Sequence, residues 1–127
     1  MPKILILDDV EPIRAMFEYA FSDEGYEVRT AENGRKALKT IEEFVPDIIL
    51  LDVMMPEMSG PEFIRELRKL AVARPELAKV PFLVLTGENY VKSDMRYVFG
   101  GDEGLKGLFP KITTPDVIVA AAKEILK

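Results

Sequence analysis

The sequence predicts an α/β protein with a five-stranded parallel sheet covered by helices on both faces, in three layers. Three observations carry that expectation. The runs Ile4-Leu5-Ile6-Leu7, Ile48-Ile49-Leu50-Leu51 and Phe82-Leu83-Val84-Leu85 are short and unbroken, as strands buried on both faces are. Segments with apolar residues at helical spacing stand between the strand segments, so strands and helices alternate five times and imply right-handed crossovers. Each of the three runs also delivers polar residues at its end, Asp8-Asp9, Asp52 and Thr86, and in open parallel sheets ligands gather at the carboxyl ends of strands.

Composition bounds the function classes. A chain of 127 residues, 48% hydrophobic and 31% charged, has the length and balance of one globular domain with a full core, expected over 1–127. The net charge of −5 comes without a basic cluster, which argues against direct nucleic-acid binding. There is no Cys and no His, so disulfides, a thiol nucleophile and the commonest general base are excluded. No apolar run approaches the roughly 18 residues of a membrane span, and a cytoplasmic location without membrane insertion is the default expectation.

The elements follow in order. Ile4 to Leu7 is a strand, and Pro12 opens a helix whose apolar face is Ile13, Met16, Phe17, Ala20 and Phe21, closed at Gly25. Tyr26 to Thr30 alternates as an edge strand does. Asn33-Gly34 starts a helix carrying Ala37, Leu38, Ile41, Phe44 and Val45 up to Pro46. The central strand ends at Asp52. Ser59-Gly60-Pro61 leads into a helix bearing Phe63, Ile64, Leu67, Leu70 and Ala71, ended by Arg74-Pro75. Val80 to Thr86 is the fourth strand, with Pro81 tolerable at a strand start. From Gly87 to Gly104 a weak helix using Val91, Met95, Val98 and Phe99 is expected, broken by Gly100, Gly101 and Gly104. Leu105 to Phe109 is the fifth strand. Thr114-Pro115-Asp116 caps a last helix with the stripe Ile118, Ala121, Ala122 and Ile125.

On this scheme Asp8, Asp9, Asp52, Thr86 and Lys111 share one edge of the sheet. Three carboxylates in one pocket would take up a proton or recruit a cation, and a hard oxygen site of this kind suits Mg²⁺. A cation there would let a phosphoryl group approach Asp52 as carboxylate nucleophile, with Thr86 and Lys111 meeting the phosphoryl oxygens. Such chemistry needs no His.

The chain resembles the receiver domain of two-component response regulators over essentially its whole length. The motifs are Asp8-Asp9, Asp52 within Leu50-Leu51-Asp52-Val53-Met54-Met55-Pro56, the loop to Gly60, Leu85-Thr86-Gly87, and Lys111. The resemblance implies a flavodoxin-like strand order of 2-1-3-4-5. It implies a phosphoacceptor switch, Asp52 taking phosphate from a phosphohistidine of a sensor kinase or phosphotransfer protein and the phosphorylated state altering binding to a downstream protein. By the same analogy Asp9, Asp52 and the main-chain carbonyl of Met54 ligate Mg²⁺, Asp8 acts through water, Thr86 and Lys111 serve the phosphoryl group, and Glu88 tunes its lifetime. The chain then acts as an enzyme only on its own phosphorylation and dephosphorylation.

Two departures stand out. The family usually has Pro after the Lys, joined by a cis bond, whereas Ile112 follows Lys111, and a cis bond there would cost about 2.5–4 kcal/mol. The family also commonly places an aromatic switch where this chain has Leu108. The altered Lys111 loop motivates the alternative reading, a receiver-like interaction module that is never phosphorylated. Gly100-Gly101-Asp102-Glu103 resembles the signature of diguanylate cyclases, but that activity needs a much larger domain. An aspartyl phosphatase typically has a second Asp two places after the nucleophile, where Met54 stands.

Overall fold

The computed structural model of the chain describes residues 1–87 and 95–127, Met95 by its backbone alone. Strands β1 (Lys3–Leu7), β2 (Glu27–Ala31), β3 (Ile48–Asp52), β4 (Phe82–Thr86) and β5 (Leu105–Pro110) form one sheet in the order 2-1-3-4-5. Every pairing is parallel. The helices are α1 (Glu11–Asp23), α2 (Gly34–Ile41), α3 (Gly60–Leu70), the short α4 (Met95–Val98) and α5 (Pro115–Ile125). None of the described helices is long and apolar enough to cross a membrane.

Strand parity sorts the core into two layers, because alternate side chains face opposite sides of a sheet. Leu5, Leu7, Ile49, Leu51, Phe82 and Val84 pack with Ala37 and Ile41 of α2 and Phe63, Ile64 and Leu67 of α3. Ile4, Ile6, Ile48, Leu50, Leu83 and Leu85 pack with Phe17 and Phe21 of α1 and Ile118, Val119 and Ala122 of α5. Burying each such large side chain stabilises by roughly 1.5–3 kcal/mol, so the continuous apolar runs are what a sheet covered twice requires. Asp52 continues the Ile48–Leu50 parity, and Asp8 continues that of Ile4 and Ile6. Both acids therefore fall on the same side of adjacent strands, β1 and β3 being in register as Leu7 to Leu51.

The helix ends explain the differences from the sequence expectations. Asn33 caps α2 by accepting from the Lys36 N–H at 2.9 Å, but α2 stops at Ile41, well before Pro46. Glu42 and Glu43 turn the chain through bonds to the Lys39 and Thr40 carbonyls, and Phe44 and Val45 reach the core from beyond the helix. Ser59 and Glu62 form a reciprocal capping box at the start of α3. Met16 and Leu70 are exposed at the margins of their helices rather than buried. Thr114 occupies the N-cap of α5 without a side-chain cap bond; it bonds the Asp116 carboxyl instead and holds that acid below the usual range. In α5 Val119 is buried, a position the expected stripe omitted.

The glycine-rich segment is a structural turn. Gly100 and Gly101 take φ of 65° and 74°, the left-handed region open to glycine. Asp102 then accepts two bonds from Arg68, from Nε at 2.8 Å and Nη2 at 2.9 Å, and one from the Gly104 N–H at 2.8 Å. Arg68 also donates to the carbonyls of Leu77 and Val80 at 2.8 and 2.9 Å, so one guanidinium ties α3 to the chain entering β4 and β5. The resemblance of this stretch to a cyclase signature has no site behind it: its Asp is spent on Arg68. Val91 and Glu88 lie outside the described residues.

Candidate functional site

Each acid of the proposed cluster is positioned by main chain. Asp8 follows β1, its N–H donating to the Ala31 carbonyl at 3.2 Å and its Oδ1 accepting from the Val10 N–H at 2.9 Å. That bond turns the chain into α1. Asp52 is the last residue of β3, and Asp9, unlike the other two, is exposed. One carboxylate oxygen from each of Asp8, Asp9 and Asp52 lies within 4.8 Å of the others.

Lys111 comes from the loop after β5, where its N–H donates to the Thr86 carbonyl at 2.9 Å. Its Nζ stands 2.8 Å from Asp52 Oδ2 and 4.0 Å from Asp8 Oδ1. The shorter distance is that of an ion pair, whereas Asp8 Oδ2 is buried without a hydrogen-bond partner. All described peptide bonds are trans. The Thr86 carbonyl thus aims Lys111 without a cis bond, leaving Ile112 81% exposed, and the sequence motive for an unphosphorylated module loses its basis.

Electrostatics follow from this packing. Burial pushes the Asp52 carboxyl up to about 6, against the pull of Lys111 and with added repulsion from Asp8. Burial also raises Asp8, only partly offset by the Val10 N–H and Lys111. Burial would lower Lys111, but its contact with Asp52 wins and raises it. Among the described residues three carboxylates meet Lys111 and, at Asp8, the charge of Arg14, and a buried carboxylate oxygen left unpartnered, as Asp8 Oδ2 is, is costly. The donor set is all oxygen and its carboxylates outnumber the cations that face them among the described residues, which fits a hard divalent ion such as Mg²⁺.

Thr86 is fully buried at the end of β4, its hydroxyl donating to the Gly87 carbonyl at 3.3 Å. Met54 is 61% exposed in the loop after β3. Leu108 packs against the α2–α3 layer of the core. Sequence reasoning missed three supports. Arg14 of α1 donates to the Asp8 carbonyl at 2.7 Å. Gly60 lies so close to β3 that a Cβ would come within 2.4 Å of the Asp52 carbonyl oxygen. Asn33, read only as a helix opener, also donates from Nδ2 to Glu57 Oε2 at 2.8 Å. The small residue after Ser59 was the available signal for the second; nothing in the sequence marks the long-range pairs.

Comparison with known proteins agrees with this geometry. A family model of the response regulator receiver domain matches residues 4–123. The alkaline phosphatase synthesis transcriptional regulatory protein PhoP of Bacillus subtilis is 34% identical over 125 residues, 98% of this chain and 48% of that protein. The phosphate regulon transcriptional regulatory protein PhoB of Rhizobium meliloti is 31% identical over 127 residues, 100% of this chain and 53% of that protein. The chain spans about half the length of these curated relatives. Among solved structures, the chemotaxis response regulator CheY4 of Vibrio cholerae superposes with a TM-score of 0.82 at 33% identity, covering 98% of both chains.

Proposed function

This chain belongs to the receiver-domain family of two-component response regulators, and on that premise we propose that Asp52 is its phosphoacceptor, with Mg²⁺ held by Asp9, Asp52 and the main-chain carbonyl of Met54 and with Asp8 acting through water. The observation that carries the reading is the cluster of three carboxylates, two of them buried, with Lys111 paired to Asp52 and Asp8 Oδ2 left without a hydrogen-bond partner.

The chemistry follows from the chain's own groups. An oxygen of Asp52 attacks phosphorus; its O–P bond forms as the N–P bond of a donor phosphohistidine breaks, and the electron pair stays on the imidazole nitrogen, which takes a proton. Lys111 meets the charge on the phosphoryl oxygens, and the Thr86 hydroxyl turns from the Gly87 carbonyl to donate to one of them. When bound, Mg²⁺ neutralises the acids and the incoming phosphoryl charge. The donor is a sensor histidine kinase or phosphotransfer protein, the readout is binding to a downstream protein, and catalysis is limited to the chain's own phosphorylation and dephosphorylation. With this reading goes a cytoplasmic site of action.

Incubation with Mg²⁺ and a small acyl phosphate, followed by intact mass, tests it. One added phosphoryl group, absent without Mg²⁺ and absent in Asp52→Asn, is the expected result; no adduct, or an adduct that survives Asp52→Asn, contradicts it.

A further inference from the structure

The loop from Val53 to Ser59 carries Met54 and is closed on itself, because the Gly60 N–H donates back to the Val53 carbonyl at 2.9 Å. Within this ring Glu57 has φ of 67°, the one described residue other than glycine in the left-handed region. A side chain there is disfavoured unless something holds it. What holds it comes from α2. Asn33, itself buried, donates from Nδ2 to Glu57 Oε2 at 2.8 Å. The next N–H, of Gly34, donates to the Met58 carbonyl at 3.3 Å. Gly34 also lies against the Met58 side chain, where a Cβ would come within 2.8 Å of Met58 Cγ. Two consecutive residues at the start of α2 thus grip two consecutive residues of the loop.

A closed ring transmits constraint, since the backbone of Glu57 cannot relax without turning the residues between it and Val53. We propose that Asn33 and Glu57 are positioning residues for the metal site: their side-chain bond latches the loop in the shape that presents the Met54 main-chain oxygen beside Asp9 and Asp52. This rests on the metal reading given above, and it assigns to α2 a part in preparing a site to which it contributes no ligand.

The two ends of the Asn33 amide separate latch from cap. Its Oδ1 accepts from the Lys36 N–H, a role that Asp fills equally well at an N-cap. Asn33→Asp therefore keeps the cap, removes the donor and sets two carboxylates against each other. In the full chain this variant should melt below wild type yet stay folded through the titration, bind Mg²⁺ about three- to tenfold more weakly by calorimetry, the range one net hydrogen bond commands, and exchange the Gly34 amide faster without metal. The weakening runs against simple electrostatics, because an added negative charge would by itself favour the cation. Asn33→Asp combined with Glu57→Gln reverses donor and acceptor, and it should restore both the affinity and the Gly34 protection. Wild-type affinity in Asn33→Asp, or failure of the double variant to recover it, overturns the latch while leaving the metal reading intact. A wild-type chain that binds no Mg²⁺ overturns that reading and the latch with it.

Discussion

Lys111 Nζ stands 2.8 Å from Asp52 Oδ2 and 4.0 Å from Asp8 Oδ1, one cation divided between two buried carboxylates. The arrangement stores electrostatic cost at the carboxyl edge of the sheet, where a divalent ion and a phosphoryl group relieve it.

Because burial pushes Asp52 up to about 6 from an ordinary value of 3.8, the folded state binds its proton more tightly than the unfolded chain does. Stability of the metal-free protein should therefore fall as pH rises from about 4 through about 6. Asp52→Asn takes away its share of this dependence, leaving that of Asp8, whose carboxyl burial also raises, and should stabilise the metal-free chain at pH 7 by about 1–3 kcal/mol. Urea unfolding of both proteins at pH 4 and pH 7 measures it; a variant less stable than wild type at pH 7 contradicts the charge account.

Arg68 spends its donors on Asp102, Leu77 and Val80 at the amino ends of β4 and β5, the edge opposite the acid cluster. Burial would raise Asp102, but Arg68 and the Gly104 N–H outweigh it and hold the carboxyl below its usual range. Arg68→Ala should cost about 2–4 kcal/mol, chiefly by stranding a partly buried carboxylate and two carbonyls. A depressed carboxylate contributes stability at neutral pH that is lost as pH falls through its folded value, so the gap to wild type should narrow in acid. Denaturant titrations at pH 7 and pH 3 check the sign, and the rate of phosphorylation should stay unchanged.

Gly60 presses on the central strand at the acceptor residue. Alanine there would push its Cβ to 2.4 Å from the Asp52 carbonyl and 2.8 Å from Leu51 Cδ1, and the strand backbone cannot give way cheaply. Gly60→Ala should destabilise by about 1–3 kcal/mol and slow phosphorylation as well, because it displaces Asp52. Thermal melts beside intact-mass time courses report both effects; loss of stability with an unchanged rate would mean that the strain is absorbed elsewhere.

Much of this was legible in the sequence for identifiable reasons. The β3 run Ile48–Leu51 is buried on both sides, so an unbroken apolar string could be read as a central strand, and Asp52 at its end could be read as a site. Asp8 and Lys111 were legible for the same reason, each standing just after a strand. Other features rest on contacts between distant residues and leave no local mark. Arg68 meets Asp102 across 34 positions, and Glu57 lies in the left-handed region although nothing about glutamate announces it. The end of α2 at Ile41 is not legible in the sequence, because Phe44 and Val45 keep the apolar spacing after the helix has turned away.

The central claim is that Asp8, Asp9 and Asp52 together hold a divalent ion beside the acceptor, and calorimetric titration with Mg²⁺ tests it most directly. One ion should bind per chain at pH 7, more weakly at pH 5 as protons compete for Asp52, and at least about tenfold more weakly in Asp9→Asn, a loss of about 1.4 kcal/mol. Absence of saturable binding in the wild type, or undiminished affinity in Asp9→Asn, would contradict the account.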